Sequence, residues 1–330
     1  MKITRILLSL ILSATLNIGV ADNFTVSDEI QTRIQEEAED WMDNMQDGIQ
    51  DRMSDAVNHA IHGFYTELDY FRNYSDTTGI NKYKTKVREI PFGNSVPSPM
   101  FFYYTEENID TLKPLLIYFH GGGWVLGSHI LSDKFCRALA SDGKINVISI
   151  DYPLSPEKVY PTAIDVSEAS VNYITEHASE FGSSKNLISL GGDGAGGNIA
   201  IMTYQRLANR SEIKSMVLYY PLIKAEGRLN QEMKKQFGRG YGFDSRLWEV
   251  FVEAYKGKSL PDDITLPPTL LISAGRDIII EEQKEFVATI KNVTYVEFPY
   301  GLHGFITDNH QTTAFETAVV LTEKFLMENK

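Results

Sequence analysis

Beyond residue 84 the chain alternates short apolar runs with longer segments whose apolar positions recur every three or four residues. Runs at 87–92, 100–104 and 115–119 have the continuous or period-two character of strands. A helical stripe at 132–141 follows, then a strand at 146–150 and a helix at 163–177. The same rhythm continues with strands at 187–190, 216–219, 269–273 and 294–298 and helices at 198–208, 281–290 and 312–327. Only 226–256 is mixed. Unbroken apolar strands separated by amphipathic helices predict a mostly parallel sheet covered on both faces, hence an α/β fold.

Upstream, 27–69 is helical and acidic, with Ser27 placed to cap its start. Ile30, Ile34, Trp41 and Met45 fall on one face, and Ile49, Met53, Val57, Ile61, Phe64 and Leu68 form a second stripe, so two helices or one bent helix are predicted. The polar face is acidic, where a membrane-surface helix would be basic. The segment therefore predicts a cap over 22–84 on a core of 85–330, with 226–256 contributing to the cap. The first residues have a different character. Lys2 and Arg5 precede an apolar stretch at 6–18 and the small residues Gly19-Val20-Ala21, the pattern of an export signal over 1–21. The stretch is short for a membrane span, so the chain is predicted to be secreted or periplasmic, with an uncleaved membrane anchor the less favoured alternative.

Composition narrows the partners. The 330 residues carry 44 acidic against 31 basic side chains, a net charge of -13, and hold no basic stripe for nucleic acid. The single cysteine, Cys136, excludes an intramolecular disulfide and a sulfur-rich metal site. His59 and His62, three apart on a helix, read as polar-face residues, and no metal or other cofactor is called for. Asn23, Asn73, Asn209 and Asn292 begin Asn-x-Ser/Thr triplets, which matter only in a eukaryotic host.

Parallel sheets bind ligands beyond the carboxyl ends of their strands, and four such junctions are unusual. After 115–119 stands His120-Gly121-Gly122-Gly123-Trp124, whose glycines leave backbone amides open to an oxyanion. After 187–190 comes Gly191-Gly192-Asp193-Gly194-Ala195-Gly196-Gly197-Asn198, a strand-to-helix elbow with Gly194 at its apex. Gly192, Gly194 and Gly197 satisfy a dinucleotide-binding register, but the turn lies late in the alternation and no acidic ribose ligand follows. Asp277 follows the strand at 269–273 and His303 the strand at 294–298, so an acid can hold an imidazole across neighbouring strand ends. Oxyanion loop, elbow, Asp and His stand in the chain order of an α/β-hydrolase.

HGGGWVLGS at 120–128, DYPLSPE at 151–157, GGDGAGGN at 191–198 and HGF at 303–305 resemble the signatures of the hormone-sensitive-lipase-like branch of the α/β-hydrolases, which includes acetyl esterases and carboxylesterases. The resemblance runs from about residue 85 to the end. It implies that the amides of Gly121, Gly122 and Ala195 bind an oxyanion, that Asp277 and His303 are acid and base, and that the ligand is a small ester or its acyl part. It also implies a positioning role for His120, support of the oxyanion loop by 151–157, and Trp124 as pocket wall or cap contact. The family carries serine where this chain has Gly194; Ser189 lies within the strand and Ser128 away from the apex. The main expectation is thus a nucleophile-less variant, a pseudoenzyme in which serine-dependent hydrolysis is absent or weakened. The alternatives are an active short-chain carboxylesterase whose natural serine at 194 is substituted in this sequence, and a non-catalytic binding protein. A water activated by His303 is a further route to hydrolysis.

Overall fold

The computed structural model describes residues 26–44, 48–73, 79–93, 95–106, 111–261, 264–307 and 311–330. The export signal at 1–21, Asn23 and Met45 lie outside the described residues. In chain order the elements are α1 (Asp28–Asn44), α2 (Ile49–Ile61), α3 (Thr66–Arg72), β1 (Lys86–Ile90), β2 (Met100–Tyr104), β3 (Leu115–Phe119), α4 (His129–Ala140), β4 (Asn146–Ile150) and α5 (Thr162–Glu176). They continue with β5 (Ile188–Asp193), α6 (Ala195–Arg206), β6 (Ile213–Tyr219), α7 (Gln231–Phe237), α8 (Ser245–Tyr255), β7 (Thr269–Arg276), α9 (Ile280–Thr289), β8 (Val293–Leu302) and α10 (Thr312–Glu328). The eight strands form one sheet in the order β1-β2-β4-β3-β5-β6-β7-β8. The β1–β2 and β2–β4 pairs are antiparallel and the rest parallel.

Period-two geometry explains how strands without polar residues divide between two cores. In β3, Leu115, Ile117 and Phe119 enter one apolar cluster while Leu116 and Tyr118 enter the other. The first cluster is roofed by residues of α5, α6 and α9, together with Val57 and Ala60 of α2 and Leu247 and Phe251 of α8. The second takes Phe135 of α4, Phe315 of α10, and Ile30 and Ile34 of α1.

The N-terminal segment forms three helices. Ser27 Oγ accepts from the Ile30 N–H at the start of α1 (3.4 Å). That helix packs against β8 and α10, where Glu37 accepts hydrogen bonds from the Thr313 N–H (2.8 Å) and hydroxyl (2.7 Å). By contrast α2 packs against α8, tied by Arg246 to Asp51 and Asp55. Arg72, at the end of α3, donates to the carbonyls of Val125 (2.9 Å) and Ser155 (2.8 Å) and pairs bidentately with Glu157 (2.6 and 2.8 Å). No helix of the described residues is long and apolar enough to cross a membrane.

The departure from the sequence reading that bears on the site lies at β5, which runs through Gly191 and Gly192 to Asp193 instead of ending at residue 190. These glycines are strand residues paired with Tyr118 and Phe119 of β3 and with Val217 and Leu218 of β6. Packing imposes them: a Cβ at Gly192 would overlap the backbone of Gly196 and of Phe119. The elbow therefore follows β5 directly, and α6 starts at Ala195, three residues earlier than its apolar pattern suggests.

Candidate active site

The carboxyl ends of β3, β5, β7 and β8 bring the four junctions together. Gly194, between β5 and α6, has φ 51° and ψ -116°, a backbone geometry that side chains resist. Its carbonyl accepts from Leu222 N–H (2.9 Å) and its N–H donates to the Tyr219 carbonyl (3.0 Å), so β6 and the chain after it hold the turn. A Cβ built on Gly194 would lie 3.5 Å from His303 Nε2, so the apex of the elbow faces the imidazole. On the other side of the ring, His303 Nδ1–H donates to Asp277 Oδ2 at 2.6 Å. Asp277 is fully buried, and its Oδ1 accepts from the Ile279 N–H (3.2 Å) ahead of α9. Tyr220 and Phe243 sit on the imidazole, each with its ring centroid 4.6 Å away, and limit its rotation.

The Gly-rich loop after β3 is shaped from behind. Gly122 has φ 103°, and a Cβ there would collide with the Leu126 carbonyl. His120 is buried, stacks on Tyr152 (4.3 Å) and is hydrogen-bonded through Nδ1 to the Gly121 carbonyl (2.8 Å); burial lowers its pKa and favours the neutral ring. Tyr152 in turn donates to the His120 carbonyl (2.6 Å), which makes the 151–157 segment a support of this loop. Trp124 is 1% exposed and stacks in parallel on Tyr255 of α8 at 4.4 Å.

Asp193, the last residue of β5, was not singled out by the sequence. Its Oδ1 accepts from Tyr118 Oη–H (2.7 Å) and from the Gly121 N–H (3.0 Å). The Gly121 amide, read from the sequence as an oxyanion donor, is thus directed at Asp193 and fixes the loop. Ala195 directly follows the elbow and opens α6, where first-turn N–H groups have no intrahelical acceptor. Burial pushes the Asp193 carboxyl up to about 6, against the lowering effect of its hydrogen bonds and of His303. An acid in an otherwise apolar strand was the available signal, hidden by glycines that read as a turn.

A parallel sheet with an elbow, a Gly-rich loop and an acid-held histidine at one end defines an α/β-hydrolase. The chain belongs to that family: the model described as alpha/beta hydrolase fold matches residues 116–307. Among curated proteins it resembles a carboxylic ester hydrolase of Mycobacterium tuberculosis, 30% identical over 217 residues, covering 58% of this chain and 57% of that protein. An acetyl esterase of Salmonella schwarzengrund is 27% identical over 238 residues, covering 66% of this chain and 73% of the relative. The chain thus spans little more than half the length of the first of these relatives. A thermostable esterase from Pseudomonas putida superposes with a TM-score of 0.69 over 93% of this chain and 99% of the other at 21% identity, a likeness of fold.

These findings correct the expectation of a pseudoenzyme. That expectation rested on the residue at position 194, whereas the family and the carboxylesterases the chain resembles support the carboxylesterase alternative. The chain also carries serine, histidine and aspartate in the strand order of the fold: Ser189 on β5, Asp277 after β7 and His303 after β8. Asp277 and His303 are in contact. Ser189 stands five residues before Gly194, buried, with its Oγ 2.8 Å from Ser215 Oγ of β6.

Proposed function

We propose that this protein hydrolyses small carboxylic esters, with His303 as general base and Asp277 holding its ring. The observation that carries this reading is the alignment of Asp277 Oδ2, the His303 imidazole and the apex of the elbow. His303 Nε2 takes a proton from a water lying above Gly194 as the water oxygen bonds to the ester carbonyl carbon. The displaced electron pair resides on the carbonyl oxygen, facing the amides of Gly122 and Ala195. Collapse of the tetrahedral species expels the alcohol oxygen, which takes the proton from the imidazolium, leaving a carboxylic acid and an alcohol. Asp277 stabilises the imidazolium and keeps Nδ1 protonated. The name of the acetyl esterase relative supports a short acyl group, and the leader-like residues 1–21 support action outside the cytoplasm.

The test is turnover of p-nitrophenyl acetate and butyrate by the full chain and by His303→Ala and Ser189→Ala. Loss with His303→Ala and retention with Ser189→Ala supports the water route. Loss in both makes Ser189 the nucleophile and removes the water step, while unchanged turnover in His303→Ala removes the site assignment.

A further inference from the structure

A cavity of about 240 Å³ opens at the opposite end of the sheet from the catalytic junctions. Asn146 begins β4, Lys113 precedes β3 and Thr105 follows β2, so the cavity lies at the amino ends of β3 and β4. Five-residue β3 alone separates it from the oxyanion loop by roughly 15 Å. Its polar lining is built in rather than superficial: Lys113, Asn146 and Thr105 are each at most 5% exposed. Asn146 Nδ2 donates to the Phe181 carbonyl (2.8 Å), which fixes the amide orientation and leaves Oδ1 without a partner. Thr105 Oγ1 is likewise buried and unpartnered. Buried polar atoms are seldom left so, and two on one cavity point to a ligand that supplies their partners.

Arg88, on edge strand β1, places its guanidinium over the rings of Phe102 (5.4 Å) and Phe181 (5.9 Å) and has no carboxylate partner among the described residues. We propose that this cavity binds a small carboxylate carrying a neighbouring hydroxyl or ammonium donor, as 2-hydroxy and 2-amino acids do. Arg88 takes the carboxylate, Asn146 Oδ1 accepts from the adjacent donor, and Phe102 and Phe181 cover the hydrocarbon part. Glu180, also in the lining, completes the match to an ammonium group and disfavours a second negative charge on the ligand. The site stands apart from the ester chemistry and does not depend on it.

Titration calorimetry of the full chain with lactate, valine and propionate tests the assignment. Lactate or valine is expected to bind, and propionate, which lacks the donor, about tenfold more weakly. Arg88→Gln, an exposed change on an edge strand, is expected to weaken binding by about tenfold, while His303→Ala leaves it unchanged. Absence of binding by all three acids, equal binding of propionate, or indifference to Arg88→Gln overturns the proposal. Loss of binding in His303→Ala overturns it as well, by placing the acid in the catalytic site.

Discussion

Replacing Gly194 with alanine separates the water route from any serine on β5. The nearest atoms to a Cβ at this position are His303 Nε2 at 3.5 Å and Cε1 at 4.0 Å, ordinary van der Waals separations, so the methyl group fits. Its cost is conformational: at φ 51° and ψ -116° a side chain destabilises the native state by about 1–3 kcal/mol, well inside the roughly 5–15 kcal/mol of a folded protein. The effect on chemistry is larger. A water hydrogen-bonded to Nε2 sits about 2.6–3.2 Å from it, in the space that the methyl carbon takes. Both cannot be present. Gly194→Ala is therefore expected to lower kcat/KM at least about tenfold, some 1.4 kcal/mol of transition-state stabilisation. Gly194→Ser brings a hydroxyl to the same place beside the base and opens a covalent acyl route. Stopped-flow release of p-nitrophenol from the acetate ester reads both, with thermal melting as a check of folding. Serine should add an initial burst that glycine and alanine lack. Full turnover by Gly194→Ala would refute the reasoning, because a methyl group facing Nε2 cannot leave a water-based reaction untouched.

Asp277→Asn should reduce kcat by about 10⁴-fold with KM little changed, since an amide allows the wrong tautomer of His303; a loss under tenfold would deny Asp277 its positioning role. Asp193→Asn keeps an acceptor for Tyr118 and Gly121 but removes a carboxyl whose pKa rises on folding from its ordinary 3.8 to about 6. Because the native state binds that proton more tightly, the Asp193 contribution to stability declines as pH rises from about 4 to about 6, by on the order of 3 kcal/mol. In urea titrations the variant should gain more over the parent near pH 8 than near pH 4.5, whereas an equal gain at both would contradict the burial argument. Arg72→Ala should destabilise the chain by about 2–4 kcal/mol, because the Val125 and Ser155 carbonyls and Glu157 lose charge-assisted partners. Arg72→Lys should restore only a minor part, as an ammonium cannot reproduce the fork, and full restoration would rule out that geometry.

The strands at 100–104, 115–119 and 146–150 were legible to the residue because each is an almost unbroken apolar run, buried over most of its length, with Asn146 and Ser149 the polar exceptions. The Asp277–His303 contact was legible from order along the chain, since successive parallel strands deliver their ends to the same edge. The end of β5 was not, because Gly191 and Gly192 are chosen by the close approach of neighbouring backbone, a tertiary cause that looks like a turn in one dimension. For the same reason Asp193 passed as a loop residue, and the diversion of the Gly121 amide toward it was invisible. Phe243 reaches the imidazole from the mixed region, whose local pattern carries no sign of what it covers.

Among the described residues the final strand of the sheet has no strand beyond it, so ten residues of β8 turn one row of backbone groups outward. Such a row recruits other chains unless something occupies it. Here α1 lies against it, and Gln31 Nε2 donates to the Glu297 carbonyl (3.5 Å). The first described helix is therefore a guard against self-association as much as a piece of the core, and a chain shortened past residue 44 would trade a closed flank for a sticky one.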